Sequence, residues 1–407
     1  MHPMNILLKL PLKIPLMIIE KAREILEKHP LCNHCLGRMF AKLGKGTNEE
    51  RGKAIRLILS MELNREVKEP ENCELCQGIF RRMNELLDLV RNAVEDYEFQ
   101  TFQIGSRFPK DILEKEKKIW EEFGITTGEP INREFNRELG KLFAKVTGKI
   151  PNRERPDIVI IVEPFSSKVE LQVNPIYVAG RYRKLVRGIP QTPAPGFEES
   201  IATIICRVFK KNFRGKCIFK GAGREDVDVR TLGRGRPFVV EIKKPRKRKV
   251  DLKLIEEEIN SSGKVEVLEL KFITPEESEK ILTARHKKIY EALVYVKDGV
   301  SAEEVEKVVK SLKGSEIKQR TPRRVLNSRA DIVRVRRVYN VSGEYIDEHH
   351  FKLKLVTDGG LYIKELISGD KGRTKPSVSE ILGKEAWCEI LDVLDVLDGD
   401  ENVEGDS

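Results

Sequence analysis

The 407-residue chain contains no uninterrupted run of about 18 apolar residues, the length that a membrane-spanning helix requires. Its apolar N-terminus is broken by Lys9, Pro11, Lys13 and Pro15, which disrupts the hydrophobic core that a signal peptide needs. We therefore expect a soluble, cytoplasmic protein without a membrane partner. Glutamine is also scarce, with six residues, while lysine and glutamate abound, as on the surfaces of thermophile proteins.

Length and charge set the next bounds. A chain of this length is expected to form two or three domains, and 40% hydrophobic residues are sufficient for their cores. Lysine and arginine outnumber aspartate and glutamate 75 to 65, which gives a net charge of +10. Residues 207–249 carry 16 Lys/Arg against four acids and are a candidate phosphate track, whereas residues 389–407 carry eight acids and no Lys/Arg.

Four of the seven cysteines form two Cys-x-x-Cys pairs, Cys32 with Cys35 and Cys73 with Cys76, separated by 37 residues. Two such pairs can present four thiolates to one tetrahedral ion, so we predict a single structural zinc site closed by a helical insert. The alternatives are an iron–sulfur cluster or two unrelated thiol pairs. A disulfide scaffold is disfavoured in an intracellular chain, and the other three cysteines lie in apolar contexts expected to be core.

Hydrophobic periodicity divides the chain into several segments. Residues 1–80 are expected to be mostly helical, and residues 81–187 alternate strands and helices like a small RNA-binding module. Three prolines and two glycines mark residues 188–196 as a linker. Residues 197–398 predict a strand-rich α+β domain around a large mixed sheet, including a strand that starts at Leu361. Residues 399–407 are expected to form a solvated acidic tail.

The end of the predicted RNA-binding module is basic and aromatic. Arg181 and Arg183 are candidates for phosphate contacts, and Tyr182 is a candidate for stacking on an exposed base. A solvated strand end is the alternative interpretation of the same residues.

The densest polar cluster follows a predicted strand and runs from Gly221 to Arg230. Its Gly-x-Gly opening is a poor match to a dinucleotide loop, because Asp226 occupies the third glycine position. What remains is a carboxylate on a flexible loop between Arg224 and Arg230. Neighbouring cations favour the charged form of a carboxylate, which can then act as a nucleophile or a base.

A second interpretation groups Asp228 with Glu241 and Lys243. In this arrangement Glu241 and Lys243 lie on one face of a predicted strand, and the two carboxylates would hold Mg²⁺ as in a metal-dependent nuclease.

The loop Gly223-Arg224-Glu225-Asp226 resembles that of pseudouridine synthases, in which an Arg-x-Asp motif places one essential aspartate. With the cysteine pairs and the stretch from Tyr362 to Pro376, essentially the whole chain resembles archaeal tRNA pseudouridine synthases of the T-loop. The resemblance implies an α+β fold, in which a zinc-binding helical segment and a THUMP-like α+β module precede a mixed-sheet pseudouridine synthase domain.

The resemblance also implies roles for individual residues. Asp226 matches the catalytic aspartate, Tyr290 matches the ring that packs on the target uracil, and Lys364, on an expected strand, matches the cation that pairs with the aspartate. Further implied positions are the apolar pocket walls Ile363 and Leu391 and a loop with Arg373 that touches RNA.

The implied reaction is the isomerisation of uridines 54 and 55 of tRNA to pseudouridine after each base is flipped out of its stack. It calls for one structural zinc ion, no organic cofactor and no obligatory protein partner besides the tRNA. A non-catalytic tRNA-binding protein is the remaining alternative. THUMP modules also occur in tRNA methyltransferases and thiolating enzymes, but the glycine-rich cofactor loop of a doubly wound domain is absent here.

Overall fold

The structure is a computed structural model that describes residues 13–327 and 329–397. The predicted acidic tail at residues 399–407 lies outside the described residues. Within the described ranges, every helix is too short or too polar to cross a bilayer.

The chain forms two compact units, the first ending at Asn174 and the second beginning at Pro175. This division precedes the linker predicted at residues 188–196. Residues 175–187 therefore belong to the second unit and not to the RNA-binding module in which the sequence prediction includes them.

The first unit combines helices with a small mixed sheet. Its helices are α1 (Lys13–Lys28), α2 (Asn33–Met39), α3 (Asn48–Glu62), α4 (Met83–Val94), α5 (Lys110–Glu122) and α6 (Ile131–Thr147). Its strands are β1 (Thr101–Ser106), β2 (Ile150–Pro151), β3 (Ile158–Glu163) and β4 (Lys168–Val173). The strand order is β2-β1-β3-β4, with β1 parallel to both neighbours and β4 antiparallel to β3.

Two glycines allow α2 and α3 to cross in close contact. A Cβ atom on Gly37 would overlap the carbonyl of Asn48, and one on Gly52 would overlap the backbone of Asn33. Because only glycine avoids these overlaps, the segment between the cysteine pairs can fold back on itself. This is the helical insert that the spacing of the cysteine pairs predicts.

A buried arginine joins the cysteine-bearing helices to the rest of the first unit. Arg38 on α2 is fully buried and forms ion pairs with Glu116 on α5 and Glu134 on α6. A charge removed from water is tolerated only where opposite charges meet it. The helical segment and the α+β module therefore form one compact unit, although the sequence predicts two segments.

The second unit is built around a ten-stranded sheet. Its strands are β5 (Ile176–Lys184), β6 (Lys216–Gly221), β7 (Arg230–Lys243), β8 (Val265–Ile273), β9 (Lys288–Val296), β10 (Glu316–Arg320), β11 (Val333–Tyr345), β12 (His350–Thr357), β13 (Thr374–Lys375) and β14 (Ala386–Val396). Its helices are α7 (Ile201–Phe213), α8 (Leu252–Asn260), α9 (Pro275–Thr283), α10 (Ala302–Leu312), α11 (Ile363–Ser368) and α12 (Val378–Leu382). The large mixed sheet predicted for this region is confirmed, but the strand predicted from Leu361 is wrong, since α11 begins two residues later at Ile363.

The long strand β7 organises the sheet. One of its edges pairs with β5, while the other pairs with β14 at Arg230 and Thr231 and with β6 from Phe238 to Lys243. The stretch of β7 between these two partners leaves a gap along that edge. The loop from β6 to β7 bridges Gly221 and Arg230 beside this gap, and it carries Asp226.

Two cysteines expected in the core are joined instead. Cys206 on α7 and Cys217 on β6 form a disulfide with their Cα atoms 5.5 Å apart. The third, Cys388, is a free, half-buried thiol on β14.

Candidate active site

A cavity of about 240 Å³ in the second unit collects the side chains of the Asp226 loop. Its walls come from that loop, from β9 and β14, from the start of α11 and from the segment between β10 and β11. The cavity thus draws on segments scattered over the whole second unit.

Asp226 lies at the centre of the charges in this cavity. Its carboxylate is about one-third exposed, at 36%. One oxygen, Oδ1, accepts a hydrogen bond of 3.0 Å from Nη1 of Arg324, and the other, Oδ2, lies 3.6 Å from Nζ of Lys364. The cation that the sequence pairs with Asp226 is therefore near it, and a second cation binds it more closely.

Lys364 lies in the first turn of α11, a helix where the sequence predicts a strand. Its ammonium donates hydrogen bonds of 2.8 and 2.7 Å to the two carboxylate oxygens of Asp228. Burial opposes ionisation of Asp228, but the hydrogen bond and charge of Lys364 outweigh it and hold the pKa of Asp228 below its ordinary value. Lys364 thus bridges two loop carboxylates and binds Asp228 most tightly.

Arg324 is a cavity residue that sequence analysis missed. It sits in a short 3-10 turn, Arg323–Val325, and its guanidinium donates to Glu365 at 2.7 Å as well as to Asp226. The ring of Tyr362 lies 5.8 Å from this guanidinium, in reach of a cation–π contact. No local motif surrounds Arg324, so its role emerges only when the fold brings it to the Asp226 loop.

Three apolar side chains complete the cavity. Tyr290 on β9, Ile363 on α11 and Leu391 on β14 are all buried and line it. Burial raises the pKa of Tyr290 to about 12, so its hydroxyl stays neutral. The structure thus brings together all five pocket residues that the family resemblance implies.

The backbone of the Asp226 loop is held by side chains from β5 and the segment that follows it. The buried Lys184 donates hydrogen bonds to the carbonyls of Asp226, at 3.1 Å, and Val227, at 2.7 Å. Burial lowers the pKa of Lys184 to about 8. Gln191 donates to the carbonyl of Gly223 at 2.8 Å. These bonds fix the loop on both sides of the carboxylate.

A buried charge network lies beneath the loop. Glu225 forms a 2.8 Å ion pair with Nε of Arg236 and accepts hydrogen bonds of 2.8 Å from the hydroxyl of Tyr182. Arg236 also donates to the carbonyl of Ala222 at 3.2 Å. Because Glu225 is adjacent to Asp226, anchoring its side chain restricts where the Asp226 carboxylate can point.

The structure corrects the expectation for the basic aromatic segment. Tyr182 is fully buried in the second unit, so it does not stack on an exposed base. Arg181 is also buried and donates to the backbone carbonyls of Arg234 and Gly235. Arg183 is one-third exposed and pairs with Glu266 at 2.7 Å. The charge pattern of a strand does not reveal which side chains face the interior, and here Tyr182, of the three, contacts the Asp226 loop through Glu225.

The other RNA-binding candidates differ among themselves. Arg224 is exposed and lines the cavity, as a residue that touches RNA there must. Arg230 pairs with Asp392 at 2.7 Å. Arg373 is largely buried, and it donates to the carbonyl of Thr321 and contacts Asp331, so it holds a neighbouring loop, and its contact with RNA stays a prediction.

The predicted nuclease triplet does not assemble. Asp228 precedes the first residue of β7, whereas Glu241 lies near its last residue, a separation of roughly 35 Å along an extended strand. Asp228 pairs with Lys364, while Glu241 pairs with Lys220 at 2.7 Å and lies 3.6 Å from Lys243. One Mg²⁺ ion cannot reach both carboxylates, so this alternative is wrong.

The four cysteines of the first unit converge. The Sγ atoms of Cys32, Cys35, Cys73 and Cys76 all lie within 4.8 Å of one another, and all four residues are buried. A tetrahedral site with metal–sulfur bonds of about 2.3 Å needs sulfurs about 3.8 Å apart, so this donor set fits a thiolate-bound metal ion. His34, between the first two cysteines in sequence, stacks on Phe80 and bonds to Glu134, outside the cluster.

Comparison with known families agrees with both units. A family model described as "Pus10, C-terminal" matches residues 177–398, a range that contains every residue lining the cavity. A model described as "Pus10 THUMP domain, archaeal" matches residues 86–163 in the first unit.

Curated relatives resemble the chain over nearly its full length. A tRNA pseudouridine synthase Pus10 of Pyrococcus furiosus is 75% identical, over 96% of this chain and 100% of the relative. The protein of the same description from Methanocaldococcus jannaschii is 42% identical over 92% of this chain and 94% of its own. A solved archaeal box H/ACA sRNP Nop10–Cbf5 complex is 15% identical over 52% of this chain and 46% of that one, with a TM-score of 0.28.

Proposed function

The chain belongs to the Pus10 family of tRNA pseudouridine synthases, and from this premise we propose that it isomerises uridines 54 and 55 in the T-loop of tRNA, with Asp226 as the catalytic carboxylate. The observation that carries the proposal is the convergence of Asp226 with Tyr290, Ile363, Lys364 and Leu391 in one cavity. These residues are far apart in sequence, and each has the chemistry that its proposed role requires.

The cavity suits a flipped-out uridine. A base taken from its stack costs a few kcal/mol, and the ring of Tyr290 with the side chains of Ile363 and Leu391 offers an apolar surface that offsets part of this cost. Asp226 faces the same space with an accessible carboxylate. The nucleotide is thus gripped by its base while its sugar lies within reach of the acid.

The chemistry exchanges one bond for another. The bond from N1 of uracil to C1′ of ribose breaks while Asp226 acts on the nucleotide, and the base rotates against Tyr290. C5 then bonds to C1′, a proton leaves C5, and a proton is gained at N1. Atoms and electrons balance without an oxidant or a reductant, which is why an isomerisation can proceed on side chains alone.

RNA recognition is assigned to two regions. The THUMP-matching residues 86–163 supply a module known from tRNA-modifying enzymes. The exposed Arg224 can bind a phosphate or a base at the cavity. The lysine and arginine excess adds the electrostatic attraction on which RNA binding depends.

We further propose that the cysteine cluster holds one structural zinc ion. Four buried thiolates leave no ligand position for water or substrate, which is typical of structural zinc and not of a catalytic site. The ion would stabilise the first unit and take no part in the isomerisation.

The test uses an unmodified tRNA transcript with wild-type protein, Asp226→Asn and the control Asp228→Asn, with and without Mg²⁺. Pseudouridine is mapped by carbodiimide adducts, and the same RNA is run on a denaturing gel. We expect wild type to modify positions 54 and 55, Asp226→Asn to lose at least about a thousandfold in rate, and Asp228→Asn to retain measurable activity.

Two outcomes would contradict the proposal. RNA cleavage that requires Mg²⁺ would indicate a nuclease. Tight binding of RNA that stays intact and unmodified would indicate a tRNA-binding protein.

A further inference from the structure

A concave, positively charged surface lies where β6 begins and β7 ends. The Asp226 loop joins the opposite ends of these two strands. The surface encloses about 600 Å³ and is lined by Lys210, Arg214, Gly215, Lys216, Lys243 and Lys244. Five of these six residues are cations, all five are exposed, and none of the six is acidic. We call this surface the cation groove.

The charges of the cation groove are largely uncompensated. Within the part of the chain that the structure describes, Lys210, Arg214, Lys216 and Lys244 form no ion pair, and Lys243 lies 3.6 Å from Glu241. The neighbouring Lys211, by contrast, is paired with Glu258 at 2.8 Å. Like charges gathered without acids repel one another, and a polyanion relieves that repulsion.

Two of the cations have an unusual backbone conformation. Arg214 follows the last residue of α7 with φ 50° and ψ 45°, and Lys244 follows β7 with φ 50°. Glycine is the usual residue at such left-handed positions, because a Cβ atom strains them. A long cation at each of these two positions lowers the local stability of the backbone but adds a positive charge to this surface. Strained backbone of this kind is common at ligand-binding sites.

The cation groove is held together by bonds between its elements. The disulfide from Cys206 to Cys217 joins α7 to β6. The backbones of Lys216 and Lys243 lie opposite each other where β6 is hydrogen-bonded to β7. The backbone amides of Arg246 and Lys247 both donate to the carbonyl of Phe213 at 3.1 Å. Cations from three segments are thus fixed beside one another before any ligand arrives.

We propose that the cation groove binds phosphates of the tRNA backbone outside the modified loop, an inference that rests on the proposed function. Lys216 and Gly221 are the two ends of β6, about 17 Å apart, and the Asp226 loop begins beyond Gly221. A nucleotide in the cavity therefore cannot fill the groove, but a further stretch of the same RNA can. Five cations along one surface suit a chain of phosphates better than a single small anion.

The test removes two charges without disturbing the fold. The double variant Arg214→Gly/Lys244→Gly places glycine where the backbone is left-handed, so its guanidinium unfolding midpoint should be no lower than that of wild type. The matched control, Lys307→Ala/Lys310→Ala, removes the same charge from exposed positions on α10. The dissociation constant of unmodified tRNA is measured for each protein over a range of KCl concentrations.

We expect the double variant to bind tRNA about tenfold more weakly near 0.1 M salt, and the slope of log K against log salt to become shallower by about 1.5. In steady-state pseudouridine formation KM should rise while kcat stays unchanged. The control should keep the slope and the KM of wild type.

Three results would overturn the proposal: a wild-type slope in the double variant, an equal loss in the control, or displacement of tRNA from wild type alone by inorganic tripolyphosphate at low concentration, which would indicate a small-anion site. Failure of the proposed function is recognised separately. If wild type forms no pseudouridine at saturating tRNA, the proposed function is wrong. The slopes of log K against log salt still show whether the cation groove contacts RNA.

Discussion

The cysteine cluster and the Asp226 cavity both bring together side chains from distant parts of a unit, but they differ in how far those side chains are exposed to solvent. The cluster buries four identical donors, which suits a permanent bond that stabilises a fold. The cavity keeps the charged Asp226, Arg324 and Lys364 each between one-quarter and two-fifths exposed. Groups that must meet a substrate need that access, so removing them should affect rate, whereas removing a cluster ligand should affect stability.

The largest effect is expected from the loss of one cysteine of the cluster. Cys73→Ser leaves three thiolates, and we expect it to abolish metal binding and to cost the first unit several kcal/mol, enough to unfold it. Emission of Trp120 in the first unit reports that transition, because the other tryptophan, Trp387, lies in the second unit. Cys388→Ser is the matched control, since Cys388 is a free thiol outside the cluster. Unchanged metal content in Cys73→Ser would disprove the shared site.

The second prediction concerns the cation that sequence analysis missed. Arg324→Ala removes the 3.0 Å hydrogen bond to Asp226, and we expect kcat to fall about a hundredfold with little change in stability. Arg329→Ala is the control, because Arg329 donates to the hydroxyl of Tyr362 and not to Asp226. Arg324→Lys should restore part of the rate if the charge orients the carboxylate. A rise in kcat for Arg324→Ala would mean that the ion pair restrains Asp226.

The smallest effect is a dependence of stability on pH beneath the cavity. Burial, with the nearby charge of Arg236, lowers the pKa of Lys288 to about 7. The unfolded chain therefore binds more protons than the folded one between about pH 7 and pH 10, and the second unit should become more stable as pH rises through that range. We expect Lys288→Met to remove part of this rise, on the order of 1 kcal/mol, with Lys184 supplying the remainder.

This rise is measured by guanidinium unfolding at pH 7 and pH 9.5, followed by Trp387 emission in a Trp120→Phe background. Lys297→Met, which removes an exposed lysine of the same unit, should leave the rise intact. Equal behaviour of the two variants would mean that Lys288 does not contribute.

The same contrast explains what the sequence can predict. Cysteine pairs are local motifs of a distinctive residue, so their convergence is predictable from spacing. Asp226, Tyr290 and Lys364 are identified because they lie in recognisable stretches, although the strand expected at Lys364 is a six-residue helix. Arg324 lies in no motif, and its position depends on a loop between two strands of a sheet whose order sequence periodicity does not determine.

The segment from Arg181 to Arg187 shows the opposite error. Its arginines and tyrosine match the composition of an RNA-binding surface, but composition does not distinguish a cation that faces solvent from one that bonds to backbone carbonyls. Lys184 and Tyr182 are buried and hold the Asp226 loop. The boundary predicted at residues 188–196 separated these supports from the loop that they hold.

The place of β14 in the large sheet has a consequence for how the protein is made. This strand, Ala386–Val396, is the last of the described chain, yet it lies between β9 and β7 near the centre of the sheet. Until the ribosome has synthesised it, both neighbouring strands keep an unpaired edge and the cavity lacks the wall that contains Leu391. The first unit can fold while the second is still being translated, but the large sheet is completed only once β14 has been synthesised, so a shorter nascent chain lacks one wall of the cavity.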